Sequence, residues 1–92
     1  MDITLSYFGP LRHAAGVDSE TRHCREGSTL TDVLRQAATD RGKRFAAILF
    51  GNAGELLSSV LVLVNDVPVN RDASPQLRDG DEVVLLPAIA GG

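Results

Sequence analysis

A chain of 92 residues suffices for one small domain and not for two, because at this length somewhat over roughly 60% of the surface of the unfolded form is buried on folding. Apolar residues at 43% and charged residues at 23% argue against intrinsic disorder. A formal charge of −3 without a basic block argues against nucleic acid, and the apolar run at residues 60–64 is far short of the ~20 residues of a membrane span, so neither partner is expected and a cytoplasmic location is the default.

Residues 2–8 alternate apolar and polar side chains, the period-2 pattern of a strand with one face on a core; Ile3, Leu5 and Tyr7 should point inward, with Phe8 on the other face. Gly9-Pro10 ends that strand, because proline has no donor for the ladder. Residues 11–15 read as a helical turn closed by Gly16, and 20–25 as a weak second strand. Ser28 or Thr29 then caps a helix whose Leu30, Val33, Leu34 and Ala37 fall at i, i+3, i+4 and i+7 on one face. Asp32, three residues after Thr29, takes the capping-box position and favours the positive end of the helix dipole, and Gly42 closes the helix. Residues 45–50 read as a brief helical turn under the main helix, followed by loop chemistry in Gly51-Asn52-Ala53-Gly54. The β-branched run 60–64 lacks polar alternation and reads as a central strand buried on both sides. Asn65-Asp66 is a turn, 67–69 a short edge segment and 77–82 another turn; 83–86 make the last strand before Pro87 stops pairing.

This order describes an α+β roll: a mixed sheet of four to five strands crossed by one main helix. Pairing the first strand with both the second and the last puts the N-terminal strand in the middle of the sheet, and residues 87–92 protrude from its end as a flexible tail. Six extended residues reach roughly 20 Å, enough to cross the wall of a partner.

A single cysteine, Cys24, forms no internal disulfide, and His13, His23 and Cys24 lack a regular metal spacing. Asp79, Asp81 and Glu82 do not supply an EF-hand loop, so no metal site is expected. No nucleophile with its base and no phosphate-cradling loop is recognisable, which leaves the chain without an autonomous active site. The leading candidate for a reactive group is instead the carboxylate of Gly92. Having no Cβ, a Gly91-Gly92 end threads a channel too narrow for other residues. At a background frequency of roughly 7%, a terminal glycine pair arises by chance in about 0.5% of chains, so an incidental pair is a small but real alternative.

The chain resembles the β-grasp sulfur carriers, the ubiquitin-like family that includes the small subunit of molybdopterin synthase and the thiamine sulfur carrier. The likeness is carried by Tyr7-Phe8-Gly9-Pro10-Leu11-Arg12, by Thr29-Leu30-Thr31-Asp32-Val33-Leu34, by Val64-Asn65-Asp66, and by Leu77-Arg78-Asp79-Gly80-Asp81-Glu82-Val83 running into Leu86-Pro87-Ala88-Ile89-Ala90-Gly91-Gly92. Phe8 and Leu11-Arg12 resemble the molybdopterin synthase small subunit. Residues 49–56 and the Ala-Ile-Ala-Gly-Gly end also resemble carriers that feed sulfur to cysteine or other metabolites, and Ala88 stands where many molybdopterin subunits have a second proline.

The resemblance implies a β-grasp domain over 1–86 and a tail over 87–92. A chain-terminal carboxyl group, which ordinarily titrates at about 3.3–3.7, is ionised at neutral pH and is a poor electrophile, so it needs activation. In the family an adenylyltransferase of the ubiquitin-activating type uses ATP to adenylate the terminal carboxylate, here that of Gly92. A sulfur donor then displaces AMP to leave a thiocarboxylate, and the large subunit of a synthase, or another acceptor enzyme, takes the sulfur. The chain itself binds no cofactor in this scheme. Pro87, Ala88, Ile89, Ala90 and Gly91 thread the channel, while Phe8, Leu11, Arg12 and apolar residues near the final strand are the docking candidates, since aromatic and Arg side chains are enriched at interface centres. Phe8 packed against the short helix is the plain alternative. Two other functions stay open: transfer of the activated end to lysines, as ubiquitin-like modifiers do, and a binding module whose Gly-Gly end is incidental. Lys43 is the only lysine, which argues against self-conjugation into chains.

Overall fold

In the computed structural model, which describes residues 1–70 and 73–88, the elements run β1 Asp2–Tyr7, α1 Gly9–Ala15, β2 Ser19–His23, α2 Leu30–Arg41, α3 Lys43–Leu49, β3 Val60–Val64, β4 Val67–Pro68 and β5 Glu82–Pro87. The strands form one mixed sheet in the order β2-β1-β5-β3-β4. β1 and β5 are parallel, and the other pairs are antiparallel. The helices bury one face of the sheet, giving the α+β roll that the order of elements implies.

Local chemistry accounts for most of these elements. Ile3, Leu5 and Tyr7 point into the core, as the alternation requires. Pro10 sits in the first turn of α1, where its missing N–H breaks no helical bond. Gly16 closes α1 in the left-handed conformation at φ 78°, donating its N–H to the Arg12 carbonyl at 2.9 Å. α2 begins with a reciprocal cap: the Asp32 N–H donates to Thr29 Oγ1 at 3.2 Å, and the Thr29 N–H donates to the Asp32 carboxylate at 3.0 Å. Asp32 therefore does what Glu or Gln does in the usual capping box. Leu30, Val33, Leu34 and Ala37 are all buried, together with Ala38. Asn65 and Asp66, with φ of 50° and 68°, make the two-residue turn that joins β3 to β4.

Several details differ from expectation. β2 spans 19–23 rather than 20–25. The middle strand is β5, with β1 one place to the side. β3 is not covered on both sides: Val60 and Val62 are buried, but Leu61 is 49% exposed, because the helices cover only the opposite face of the sheet. Nor does pairing stop at Pro87, which stands opposite Val60, and the Ala88 N–H donates to the Ser59 carbonyl at 2.7 Å. In β5 the even-numbered residues Glu82 and Ala88 bond the β3 side, so the missing N–H of Pro87 falls on the opposite edge and costs this ladder no bond.

A polar network ties the edge strand to the helices. The Glu20 carboxylate accepts from the Tyr7 hydroxyl, from Arg22 Nη1 at 2.9 Å and from Arg41 Nε at 3.0 Å; Arg41 also donates to the Ala15 carbonyl at 3.0 Å, and Arg22 pairs with Asp40. Burial pushes the Glu20 pKa up, but the Arg41 and Tyr7 hydrogen bonds and the charges of Arg22 and Arg41 outweigh it and hold the carboxyl below its ordinary 4.5. The Tyr7 hydroxyl is raised, by burial first and then by its bond to Glu20. Since the folded pKa of Glu20 lies below the unfolded one, its contribution to stability is complete above its ordinary 4.5 and is lost as the pH falls through the folded pKa. Glu20→Gln should therefore lower stability at neutral pH and flatten the acid limb. Urea midpoints taken from pH 2 to 7 check this, and parallel acid limbs for the two proteins would refute it.

Candidate functional site

Sheet register brings three strand ends together. β1 runs parallel to β5 with Tyr7 opposite Leu85, which places Phe8 at the end of the sheet where Leu86 and Pro87 lie. β3 runs antiparallel to β5 with Leu61 opposite Leu86 and Val60 opposite Pro87, which brings Ser59 to Ala88. Phe8, the residue before α1, is 47% exposed there. Arg12 is exposed, its Nε 3.7 Å from Asp18 Oδ1.

Leu11 is a correction. It is fully buried, and with Ala15 it forms the inward i, i+4 face of α1, so it offers no side chain to a partner. That spacing was present in the sequence and favours the core. Pro87 is partly buried and Ala88 exposed; Ile89, Ala90, Gly91 and Gly92 lie outside the described residues.

The face of the sheet opposite the helices carries an apolar patch beside this end. The cross-strand pairs Leu61 with Leu86 and Leu63 with Val84 lie on it, and Leu61 is 49% exposed. A depression of about 420 Å³ bordered by Ser58, Val60, Leu61, Val69, Leu86 and Ala88 opens at the same end. On β1 the outward residues Thr4 and Ser6 are polar, so the apolar pairs lie on β5 and β3. Of these residues Leu61 is exposed, and Leu63, Val84 and Leu86 are partly buried. The apolar residues of the final strand on this face are Val84 and Leu86, both partly buried. Sequence reasoning missed the β3 residues, because a run without polar alternation reads equally as a two-sided core strand and as a strand with one apolar face in solvent.

The other candidates for chemistry lie apart. His23 Nδ1 is 2.9 Å from Asp2 Oδ1, at the start of β1 and thus the opposite end of the sheet. Cys24 is buried, which pushes its thiol pKa up, and its Sγ is 3.6 Å from Gln36 Oε1. Among the described residues no three or more His, Cys, Asp or Glu side chains converge to hold a metal ion, and no helix is long and apolar enough to cross a membrane. Strand β5 thus ends, and Ala88 follows it, at the end of the sheet where Phe8 and Leu61 are exposed.

Comparison with known proteins agrees over the whole chain. The ThiS family matches residues 5–92. The molybdopterin synthase sulfur carrier subunit of Chlamydomonas reinhardtii is 26% identical over 92 residues, covering all of both chains. SAMP1 from Haloferax volcanii superposes with a TM-score of 0.87 at 25% identity, again over 100% of each chain. The small archaeal modifier protein 1 from Methanosarcina acetivorans gives a TM-score of 0.79 at 26% identity, over 99% of this chain and 96% of that one.

Proposed function

The chain belongs to the ThiS family of ubiquitin-like β-grasp sulfur carriers, and from that premise we propose that Gly92 is its reactive residue and that it serves as the small subunit of a molybdopterin synthase in molybdenum cofactor biosynthesis. The observation that carries the pathway is the end-to-end likeness to the Chlamydomonas sulfur carrier subunit, with the family match running through Gly92 itself. The geometry supports the same role, since β5 leads to Ala88 at an exposed end flanked by Phe8 and Leu61.

The proposed chemistry begins with attack of the Gly92 carboxylate on the α-phosphate of ATP, held by an adenylyltransferase of the ubiquitin-activating type. Pyrophosphate leaves and an acyl-adenylate forms. A sulfur donor then adds to the acyl carbon and expels AMP, which leaves a thiocarboxylate, a soft nucleophile that the large subunit of the synthase consumes. The chain supplies the reacting carboxylate and the docking face; the partner supplies the ATP site and the proton transfers.

A second reading, transfer of the activated end to lysines of other proteins, is favoured by the likeness to a protein named as a modifier. Intact-mass measurement separates the two. After incubation with such an adenylyltransferase, ATP and sulfide, the chain should gain the mass of one oxygen-to-sulfur exchange, mapped to Gly92. Gly-Gly remnants on lysines of other proteins without any thiocarboxylate would select the modifier reading, and a chain that never takes up AMP would defeat both.

A further inference from the structure

The amide of Ala88 is a donor to the carbonyl of Ser59 at 2.7 Å, one residue beyond the last strand pair. We propose that this contact is a positioning clamp, which sets the distance and heading at which the C-terminal segment meets an activating partner. The proposal rests on the reading of Gly92 as the activated group.

The acceptor is held firmly. The Val60 N–H donates to the Leu57 carbonyl at 3.2 Å, and the Leu57 N–H donates to the Leu49 carbonyl at 2.8 Å, which ties the segment before β3 to the end of α3. Within the same segment the Gly51 N–H donates to the Glu55 carbonyl at 2.8 Å and Arg35 Nη2 from α2 donates to the Gly54 carbonyl at 3.0 Å, while the Leu56 side chain is buried. Residues 51–59 thus form a bracket fastened to two helices and to the core, and the Ser59 carbonyl is the point where it grips β5. The grip depends on residue 88 having an N–H, which alanine has and a proline at that position would lack.

The consequence is a shorter reach. Beyond Leu86, the six residues from Pro87 span roughly 20 Å at full extension; beyond a clamped Ala88, the four residues from Ile89 span roughly 14 Å. The α-phosphate of ATP in the activating enzyme must then lie within that distance of Ala88, which requires Phe8, Leu61 and Leu86 to seat closely around the mouth of its channel. A clamped origin also leaves fewer backbone torsions to fix when the carboxylate is brought to the phosphorus, so the clamp acts on the chemical step rather than on docking.

Two measurements on the full chain test this. By amide hydrogen exchange, Ala88 should be protected well above its intrinsic rate, and exchange at the intrinsic rate would overturn the proposal. In a semisynthetic chain, an ester oxygen replacing the Ala88 N–H removes the donor and leaves every side chain in place. With a purified adenylyltransferase of the ubiquitin-activating type and ATP, that chain should show kcat for pyrophosphate exchange lowered about fivefold against the all-amide chain, the loss of one net hydrogen bond, with KM within about twofold. An unchanged kcat would overturn the proposal, as would a rise confined to KM. Should the all-amide chain itself take up no AMP, the Gly92 reading falls, and the clamp stands or falls with the protection of the Ala88 amide.

Discussion

Removing Gly92, or replacing Gly91 or Gly92 by alanine, is expected to cut ATP-dependent adenylation at least roughly 100-fold, the scale of loss when a reacting group is misplaced by about 1 Å. The melting temperature should move by no more than about 2–4 °C, as for a surface change of about 0.5 kcal/mol in a domain of this size. The two halves have separate causes. Every buried apolar side chain that builds the described core lies between Met1 and Leu85, and described sheet pairing ends at Ala88, so these changes delete none of those contacts. The added methyl group acts instead in the channel of the partner, where a backbone without Cβ passes and one with Cβ meets the wall. Pyrophosphate exchange and thermal melting, run on the same preparations, read both effects. Normal pyrophosphate release by either alanine variant would show that a Gly-Gly end is not what the activating site selects.

How much of this was legible in the sequence depended on whether the deciding contacts are local. The stripe Leu30, Val33, Leu34 and Ala37 and the Thr29–Asp32 cap lie within one or two turns of each other, and both form as the sequence implies. β1 and the Asn65-Asp66 turn were equally readable. The failures are tertiary. Whether 60–64 is covered on two faces depends on how many layers the chain can build, and the helices here cover only one, which leaves Leu61 exposed. Pro87 reads as a stop signal by its own chemistry, but the register turns its nitrogen away from β3, so Ser59, distant in sequence, still pairs with Ala88. Leu11 was misplaced for a smaller reason: adjacent Arg12 drew it into a surface motif, whereas its spacing to Ala15 assigns it to the core. The network around Glu20 had no local signature, since Tyr7, Glu20, Arg22 and Arg41 meet only when β1, β2 and α2 are assembled. At the candidate site the same rule holds: the residue types were readable, but the convergence of Phe8, Ser59 and Ala88 follows from strand register alone.

Phe45→Ala should be the costliest core substitution, at about 3–5 kcal/mol. Phe45 is fully buried on α3, and its ring meets that of Tyr7 edge to face, with centroids 5.2 Å apart and planes at 84°. Beyond the area it buries, such a pair contributes about 0.5–1.5 kcal/mol. Tyr7 is pinned at its other end by Glu20, so it cannot swing into the space a missing ring would leave, and the cavity term should be near its full size. Against a total stability of about 5–15 kcal/mol for a domain, a loss of this size is a large share of the whole and lowers the melting temperature by roughly 12–40 °C. Phe45→Leu, which keeps most of the volume and loses the ring pair, should recover more than half of the difference. The effect should also reach the far end of the site, because α3 supplies the Leu49 carbonyl that holds Leu57, and through it the segment carrying Ser59. Equilibrium urea unfolding of the two variants tests the packing, and a Phe45→Ala cost below about 1 kcal/mol would mean that α3 does not close the core in the way the ring contact implies.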